Sequence, residues 1–152
     1  MIDNLQGYSF TTEVAPPQFA HMVDWLLSWR KRDESMNFSV LLIEFVNVAD
    51  LGDMLGAKLA MALIKRTASE IQDALRNTDM LTRTRVSCFW VLLPNGRPDI
   101  VLRKLEPVIA AARADGMDAS QLRVRKFVTP DDLENDISTS LDIFMHMQSI
   151  SK

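Results

Sequence analysis

The chain has 152 residues and is 47% hydrophobic and 24% charged, with five glycines and six prolines. This length and composition predict one globular domain over residues 1–152 and exclude long disordered or repetitive segments. A net charge of −3 provides no overall positive field for a nucleic-acid polymer. The N-terminus lacks a secretion-signal pattern and no apolar run is long enough to span a membrane, so we predict a cytoplasmic protein without membrane insertion. One cysteine and two distant histidines give no metal site.

The first predicted element is a helix from Pro17 to about Asp33, in which apolar residues recur every three or four positions. Trp25 and Trp29 lie beside its apolar stripe. Such a pair either covers the protein's own core or faces a partner, and we favour the first interpretation.

The middle of the chain predicts a strand, a long helix and a hairpin. The apolar run from Phe38 to Val48 is typical of a central strand, with Glu44 as its one acidic residue. A helical pattern extends from about Asp50 to Asn77, and two strands then run from Met80 to Arg85 and from Ser87 to Leu93. The predicted inward positions of the long helix are Leu55, Leu59, Leu63, Ala68, Ile71 and Leu75.

The bend of the hairpin has an unusual composition. Tight hairpin turns favour Gly, Asn or Asp, because one or two positions take a positive φ. Here Arg85, Val86 and Ser87 occupy the bend. The sequence therefore predicts a hairpin whose turn differs from the common types.

The last third predicts a helix from Pro98 to about Ala114, a strand from Leu122 to Val128, and a helix with Thr129 as N-cap and Pro130 at its first position. The order of the core is strand, helix, strand, strand, helix, strand. We therefore predict an α+β fold of the ferredoxin-like or palm type. It has a βαββαβ core with helices on one face of the sheet, and additional N-terminal and C-terminal helices.

Within this order, residues 40–94 carry a family resemblance. The central strand, the pair Leu55 and Gly56, the sequence RNTD after the long helix and the sequence FWVLLP after the hairpin resemble the GGDEF family. That family is the diguanylate cyclase domain, which joins two GTP molecules into cyclic di-GMP. The resemblance places its Gly-Gly-Asp-Glu-Phe signature on residues 85–89, where only Phe89 is kept. The chain thus resembles a degenerate GGDEF domain, and the lost glycines account for the unusual bend.

The resemblance also predicts the state of the catalytic site. In the family, two acidic ligands hold Mg²⁺ against the triphosphate. Glu44 stands at one ligand position, while Ser87 and Cys88 stand at the other and do not suit a hard cation. The guanine-contacting positions fall on Gly52 and Met61. We therefore expect that the chain is not an enzyme and holds no metal or other cofactor; an active enzyme with displaced catalytic groups is the less favoured alternative.

A second family feature is kept. Many relatives bind their product at an Arg-x-x-Asp sequence just before the signature, and Arg76 and Asp79 have that spacing. An arginine fork can donate to guanine O6 and N7, and a carboxylate can accept from N1 and N2. Arg103 corresponds to a second arginine that contacts the dinucleotide in some relatives, and Arg83 and Arg97 are further candidates.

The Arg-x-x-Asp spacing alone does not identify a site. A second copy, Arg30 to Asp33, falls where the family has no site. An i, i+3 ion pair near the end of a helix is also an ordinary stabilising contact. Only the position relative to the signature favours Arg76 and Asp79.

The residues support two functional hypotheses. The favoured one is a catalytically inactive GGDEF-like domain that acts as a cyclic di-GMP receptor through Arg76, Asp79 and Arg103. It would pass the signal to a protein partner, which by resemblance is a component of exopolysaccharide secretion or bacterial signalling. The alternative is a ligand-free interaction or dimerisation module, such as a homodimer, that kept only the fold. In that case Trp25, Trp29, Met145 and Met147 would supply adaptable apolar contacts.

Overall fold

The computed structural model describes residues 13–45, 53, 56–96, 98–114 and 122–149. Several sequence-based predictions lie outside these residues: the end of the first strand after Phe45, the beginning of the long helix at Asp50, and the placements of Gly52 and Arg97. The predicted inward residue Leu55 also lies outside them. Within the described ranges, no helix combines the length and apolarity that a membrane crossing needs.

The described residues form helices and strands in the predicted order. In chain order the elements are α1 (Pro16–Arg32), β1 (Phe38–Phe45), α2 (Ala57–Ala74), β2 (Met80–Arg85), β3 (Cys88–Pro94), α3 (Pro98–Ala114), β4 (Leu122–Val128) and α4 (Ser140–Ser149). Elements β1 to β4 with α2 and α3 are the βαββαβ core, and α1 and α4 are the additional helices. The predicted α+β, ferredoxin-like fold is therefore confirmed.

The four strands form one sheet in the order β2-β3-β1-β4, and every neighbouring pair is antiparallel. Strand β1 is central and is buried along its whole length. Glu44 of β1 lies opposite Cys88 of β3 on one side and opposite Arg123 of β4 on the other. This register brings the two hairpin strands and β4 together around one acidic side chain.

Both faces of the sheet are covered. Leu41 and Ile43 belong to a buried cluster with residues of α2 and α3. Val40 and Leu42 alternate with them and belong to a second cluster with residues of α1 and α4. The prediction of helices on one face therefore holds for the core only. A strand that is apolar on both sides requires cover on both sides, and the additional helices supply it.

The last helix begins at Ser140 and not at Pro130, so the predicted N-cap at Thr129 is wrong. The side-chain Oγ1 of Thr129 accepts a hydrogen bond from the Phe38 backbone N–H at 2.8 Å. The backbone N–H of Thr129 donates to the Phe38 carbonyl, which extends the pairing of β4 with β1.

The helix start is supplied instead by Thr139 and Asp142. The Asp142 carboxylate accepts the backbone N–H of Thr139 at 3.0 Å, and Thr139 Oγ1 accepts the backbone N–H of Asp142 at 3.3 Å. This reciprocal arrangement is a capping box. Backbone hydrogen bonds from Ser138 and then Thr139 lower the pKa of Asp142.

Two predictions about side-chain positions are also corrected. Leu59 is exposed, because the buried side of α2 passes through Ala60, Leu63 and Ile64. Trp25 and Trp29 are 51% and 43% exposed, so they do not cover the core.

Candidate functional site

Arg76 and Asp79 lie together in the turn between α2 and β2. Leu75 has an extended backbone that ends α2, and the Asp79 N–H then donates to the Arg76 carbonyl at 3.0 Å. The Asp79 carboxylate accepts the Arg76 backbone N–H at 2.8 Å, the Arg76 Nε at 3.4 Å and the Arg76 Nη2 at 3.2 Å. The same Nη2 donates to the Pro94 carbonyl at 3.1 Å. The guanidinium is thus held between the turn and the end of β3.

The two side chains differ in exposure. The Asp79 side chain is 2% exposed, whereas the Arg76 side chain is 57% exposed. Both carboxylate oxygens face the arginine and the turn backbone, so Asp79 is bonded inside the protein. Arg76 is consequently the member of the pair that can meet a ligand directly.

A cavity of about 210 Å³ lies beside the guanidinium. Its lining includes Arg76, Asp79, Leu93, Asn95, Gly96 and Ile100. A Cβ atom at Gly96 would lie 2.5 Å from Leu93 Cβ and 3.0 Å from Arg76 Nη2. Glycine at position 96 therefore leaves the room that Arg76 needs.

The other candidate arginines have different surroundings from this pair. Arg103 is exposed on α3, one helical turn after Ile100, which lines the cavity. Among the contacts of the described residues, none joins Arg103 to Arg76 or Asp79. Arg83 stacks over the Phe89 ring at 5.0 Å and lies 3.8 Å from the Glu13 carboxylate.

The hairpin at the signature position is bulged. Val86 and Ser87 form its turn, and the pairing of β2 with β3 shifts between Arg83 and Arg85. Among the described non-glycine residues, only Asn95 has a positive φ. The bulge therefore closes the bend without the left-handed residues that common two-residue turns use.

Glu44 points into a cluster of arginines. Its Oε1 accepts the Arg123 Nε at 2.8 Å and also contacts Arg123 Nη2, and its Oε2 lies 3.6 Å from Arg85 Nη2. Cys88, which pairs with Glu44 from the neighbouring strand β3, is buried. Mg²⁺ prefers several oxygen ligands, whereas this position offers one carboxylate already bound to guanidinium groups, beside a thiol. These residues do not fit a hard divalent cation, and the described residues hold no cluster of three potential metal-binding side chains.

Arg125 extends the same cluster. Its Nη1 donates to the carbonyls of Met147 and Gln148 at 2.7 and 3.2 Å, at the end of α4. Burial lowers the pKa of Arg125, the charge of Arg123 lowers it further, and Glu44 partly offsets both effects. No sequence-based prediction covers this cluster. Its signal is the alternation of Arg123 and Arg125 on one face of β4, beside the acidic residue of a buried strand.

Comparisons with known proteins agree with this fold. The family model of "Diguanylate cyclase, GGDEF domain" matches residues 18–127, whereas no curated protein matches the chain. The GGDEF domain of YfiN (TpbB) from Pseudomonas aeruginosa is 20% identical, with 90% of this chain and 86% of that chain covered and a TM-score of 0.65.

Two further solved structures are similar. The GGDEF domain of DgcB from Caulobacter crescentus, in complex with c-di-GMP, is 12% identical, with 93% and 85% of the two chains covered and a TM-score of 0.61. Diguanylate cyclase SiaD from Pseudomonas aeruginosa, in complex with its activator SiaC, is 15% identical, with 95% and 55% covered and a TM-score of 0.62. At these identities the likeness shows the fold.

The family match corrects one sequence-based prediction. We expected from Ser87 and Cys88 that the chain is not an enzyme, and this is wrong because the matching family model is that of an enzyme, diguanylate cyclase. Residue types at one hairpin bear on the metal position, but they do not outweigh a match over residues 18–127. Since the match spans more than half of the sequence and the fold agrees with solved GGDEF domains, the chain belongs to the GGDEF family of diguanylate cyclases.

Proposed function

We propose that this GGDEF domain binds cyclic di-GMP, with Arg76 as the main contact, Arg103 as a second contact and Asp79 as the residue that orients Arg76. The observation that carries the proposal is an exposed guanidinium, fixed by Asp79 and Pro94 at the edge of a cavity. Asp79 and Pro94 accept from Nε and Nη2, so the Nη1 group of Arg76 is the donor that suits guanine O6 or N7 or a phosphate oxygen. The DgcB structure in complex with c-di-GMP supports the choice of ligand.

The role proposed for Asp79 follows from its burial. A carboxylate that accepts three hydrogen bonds from Arg76 has little capacity left for guanine N1 and N2. It holds the guanidinium in one orientation before the ligand arrives, which reduces the entropy lost on binding.

Isothermal titration with cyclic di-GMP, in the absence of GTP and Mg²⁺, tests the proposal independently of any cyclase turnover. We expect binding by the wild type and a loss of roughly tenfold or more in Arg76→Ala, because a hydrogen bond from a charged donor such as the Arg76 Nη1 group contributes about 1.5–3 kcal/mol. Arg103→Ala should weaken binding less, because a contact made by Arg103 alone lacks the fixed geometry.

The matched control is Arg30→Ala, which removes the arginine of the second Arg-x-x-Asp copy. It should bind as the wild type does. An absence of wild-type binding, or equal affinities for Arg76→Ala and Arg30→Ala with both proteins folded by circular dichroism, would overturn the proposal.

We propose further that the bound state is passed to a protein partner in exopolysaccharide secretion or bacterial signalling. The SiaD structure, in complex with its activator SiaC, supports a protein partner for a domain of this fold. Co-purification with such a component in the presence and absence of cyclic di-GMP tests the step. A partner captured equally in both conditions contradicts it.

A second candidate function, protein interaction, is favoured by the exposed pair Trp25 and Trp29. The two rings pack edge to face with centroids 5.1 Å apart and, with Ser28 and Arg32, line a surface cavity of about 260 Å³. Met147 is fully buried and is no part of such a surface. Sedimentation of the wild type, of Trp25→Ala/Trp29→Ala and of the control Leu59→Ala tests whether the pair joins two copies. A concentration-dependent dimer lost only in the tryptophan variant supports this function, whereas a wild-type monomer contradicts it for homodimers.

A further inference from the structure

A cavity of about 410 Å³ lies on the α1 and α4 face of the sheet, at the end of the β2–β3 hairpin. Leu42 of β1 and Trp90 of β3 contribute to its lining, and both belong to the second buried cluster. The cavity beside Arg76 is lined by Leu93 and Val101, which belong to the first buried cluster on the other face. The two cavities are therefore separated by the sheet.

Three aromatic side chains contribute to the lining of the 410 Å³ cavity. Phe144 of α4 packs edge to face against Trp90 with ring centroids 5.0 Å apart, and tilted against Phe19 of α1 at 6.0 Å. Phe144 is only partly buried. Cavities of 300–1,000 Å³ that combine apolar and aromatic side chains with a few polar groups are typical of small-molecule sites, and aromatic side chains offer edge-to-face and offset contacts to a planar ring.

The polar edge of this cavity carries a cation that is weakly engaged. The Arg85 side chain is 72% exposed, and its Nη2 forms an ion pair with Glu44 Oε2 at 3.6 Å. Glu44 already accepts hydrogen bonds from Arg123, which holds Oε1 through two donors. Arg85 can therefore leave Glu44 at little cost, since an exposed pair at this distance contributes little to stability.

The surrounding charge also favours an anion over a cation. Arg85, Arg123 and Arg125 cluster around one carboxylate, that of Glu44. Among the residues that the structure describes, three guanidinium groups surround this carboxylate and Arg85 lines the cavity, so a second carboxylate or a phosphate near Arg85 is attracted. Thr84 and Gln148 add neutral hydrogen-bonding groups to the lining.

We propose that this cavity binds a small ligand in which a planar apolar ring is joined to an anionic group, with the ring on Trp90 and Phe144 and the anion on Arg85. The site is distinct from the Arg76 site, and it places an anion beside the position at which the family resemblance predicts a metal ligand.

Two matched fluorescent probes test the proposal. 1-Anilinonaphthalene-8-sulfonate carries an aromatic ring system with a sulfonate, and N-phenyl-1-naphthylamine has the same ring system without the charge. The sequence contains three tryptophans, so Trp25→Phe/Trp29→Phe leaves Trp90 as the only one and also removes the exposed tryptophan pair. Energy transfer from Trp90 then reports that a probe is bound to the domain, and the Arg85→Gln variant tests whether its sulfonate lies in this cavity.

In that background we expect saturable energy transfer and an affinity about tenfold higher for the sulfonate than for the neutral probe, as one charge-assisted hydrogen bond gives. Arg85→Gln should reduce the ratio several-fold, because it removes the guanidinium to which we assign the sulfonate. The control Arg66→Gln, an exposed arginine on α2, should leave the ratio unchanged.

Three outcomes overturn the proposal: no energy transfer from Trp90, equal affinities for the two probes in the tryptophan background, or a ratio that Arg85→Gln and Arg66→Gln change equally. The Arg85 side chain is largely exposed, so folding of Arg85→Gln is expected and is checked by circular dichroism. Failure of this experiment leaves the cyclic di-GMP titration unaffected, because Arg76 lies on the other face.

Discussion

The two copies of Arg-x-x-Asp in this chain have the same spacing and different structures. In the first copy, Asp79 is buried and accepts three hydrogen bonds from Arg76, which also contacts Pro94. In the second, Asp33 is exposed at the end of α1, and its carboxylate accepts the backbone N–H and the hydroxyl of Ser35. Among the described contacts, no ion pair joins Asp33 to Arg30.

The difference comes from the residues that come after each copy in the chain. After Asp79 the chain enters β2, and the neighbouring end of β3 supplies the Pro94 carbonyl that fixes Arg76. After Asp33 the chain turns at once, and a serine two residues later competes for the carboxylate. The Arg-x-x-Asp spacing therefore allows an ion pair, and whether the pair forms depends on the neighbouring strands and turns.

The largest expected difference between the copies is in stability. Asp79→Ala removes a buried carboxylate and leaves the Arg76 backbone N–H without its partner, so we expect the free energy of unfolding to fall by about 2–3 kcal/mol. Asp33→Ala should give little change, because Asp33 is exposed. Urea unfolding of both variants measures the difference. Equal midpoints would contradict the structural role of Asp79.

Gly96→Ala tests the space around the first copy. The added Cβ would lie 2.5 Å from Leu93 Cβ, so the loop must shift, and we expect a loss of about 1–2 kcal/mol in unfolding free energy. The same shift displaces the guanidinium of Arg76 and weakens binding of cyclic di-GMP. A variant with unchanged unfolding and unchanged titration would show that the loop tolerates the methyl group.

Arg76→Ala should cost less in stability than Asp79→Ala. The Arg76 side chain is 57% exposed, so solvent screens its ion pair, and we expect a loss of about 1 kcal/mol. Arg76→Ala should nevertheless reduce the free energy of ligand binding by more than it reduces the free energy of unfolding. Urea unfolding and calorimetric titration of the same preparation measure both effects. A stability loss in Arg76→Ala greater than that in Asp79→Ala would contradict the expected order.

The smallest effect is expected at the second copy and concerns a pKa. The hydroxyl of Ser35, and then its backbone N–H, lower the pKa of Asp33. Because the folded-state pKa is depressed, this contribution to stability is present above the ordinary pKa near 3.8 and is lost as the pH falls through the folded-state value.

Ser35→Ala should therefore raise the pKa of Asp33 towards 3.8, as an NMR titration of the carboxyl carbon measures. Asp142 serves as an internal control in the same titration, since its pKa is lowered by Ser138 and Thr139 instead. If Ser35→Ala left the pKa of Asp33 where it is in the wild type, the hydroxyl contact would not be its cause.

The fold was largely predictable from the sequence because its elements are locally encoded. The apolar run of β1 and the start of α3 at Pro98 are local signals. The exception is instructive, since Thr129 and Asp132 have the same Thr-x-x-Asp spacing as Thr139 and Asp142. Only the second pair caps a helix, because Thr129 bonds to Phe38 of β1 and the Asp132 carboxylate accepts the Val128 backbone N–H.

The sites were predictable in part. The contact of Arg76 with Asp79 was predictable because both residues belong to one turn, and their role in ligand binding stays a prediction. Asp79 lines its cavity together with Leu93 of β3 and Val101 of α3, and no local pattern encodes this arrangement. The contact of Glu44 with Arg123 joins β1 to β4, which are far apart in sequence, so only the register reveals it.

Strand β3 has a consequence for any ligand of this domain. Its neighbouring residues point alternately to the two faces, so that Trp90 lines one cavity and Leu93 the other. The two cavities are therefore separated by a single layer of β-sheet, and both are lined by side chains of the same strand. If occupancy of one cavity changes affinity in the other, thermodynamic linkage makes the influence equal in both directions, and the strand itself is the shortest physical route for it.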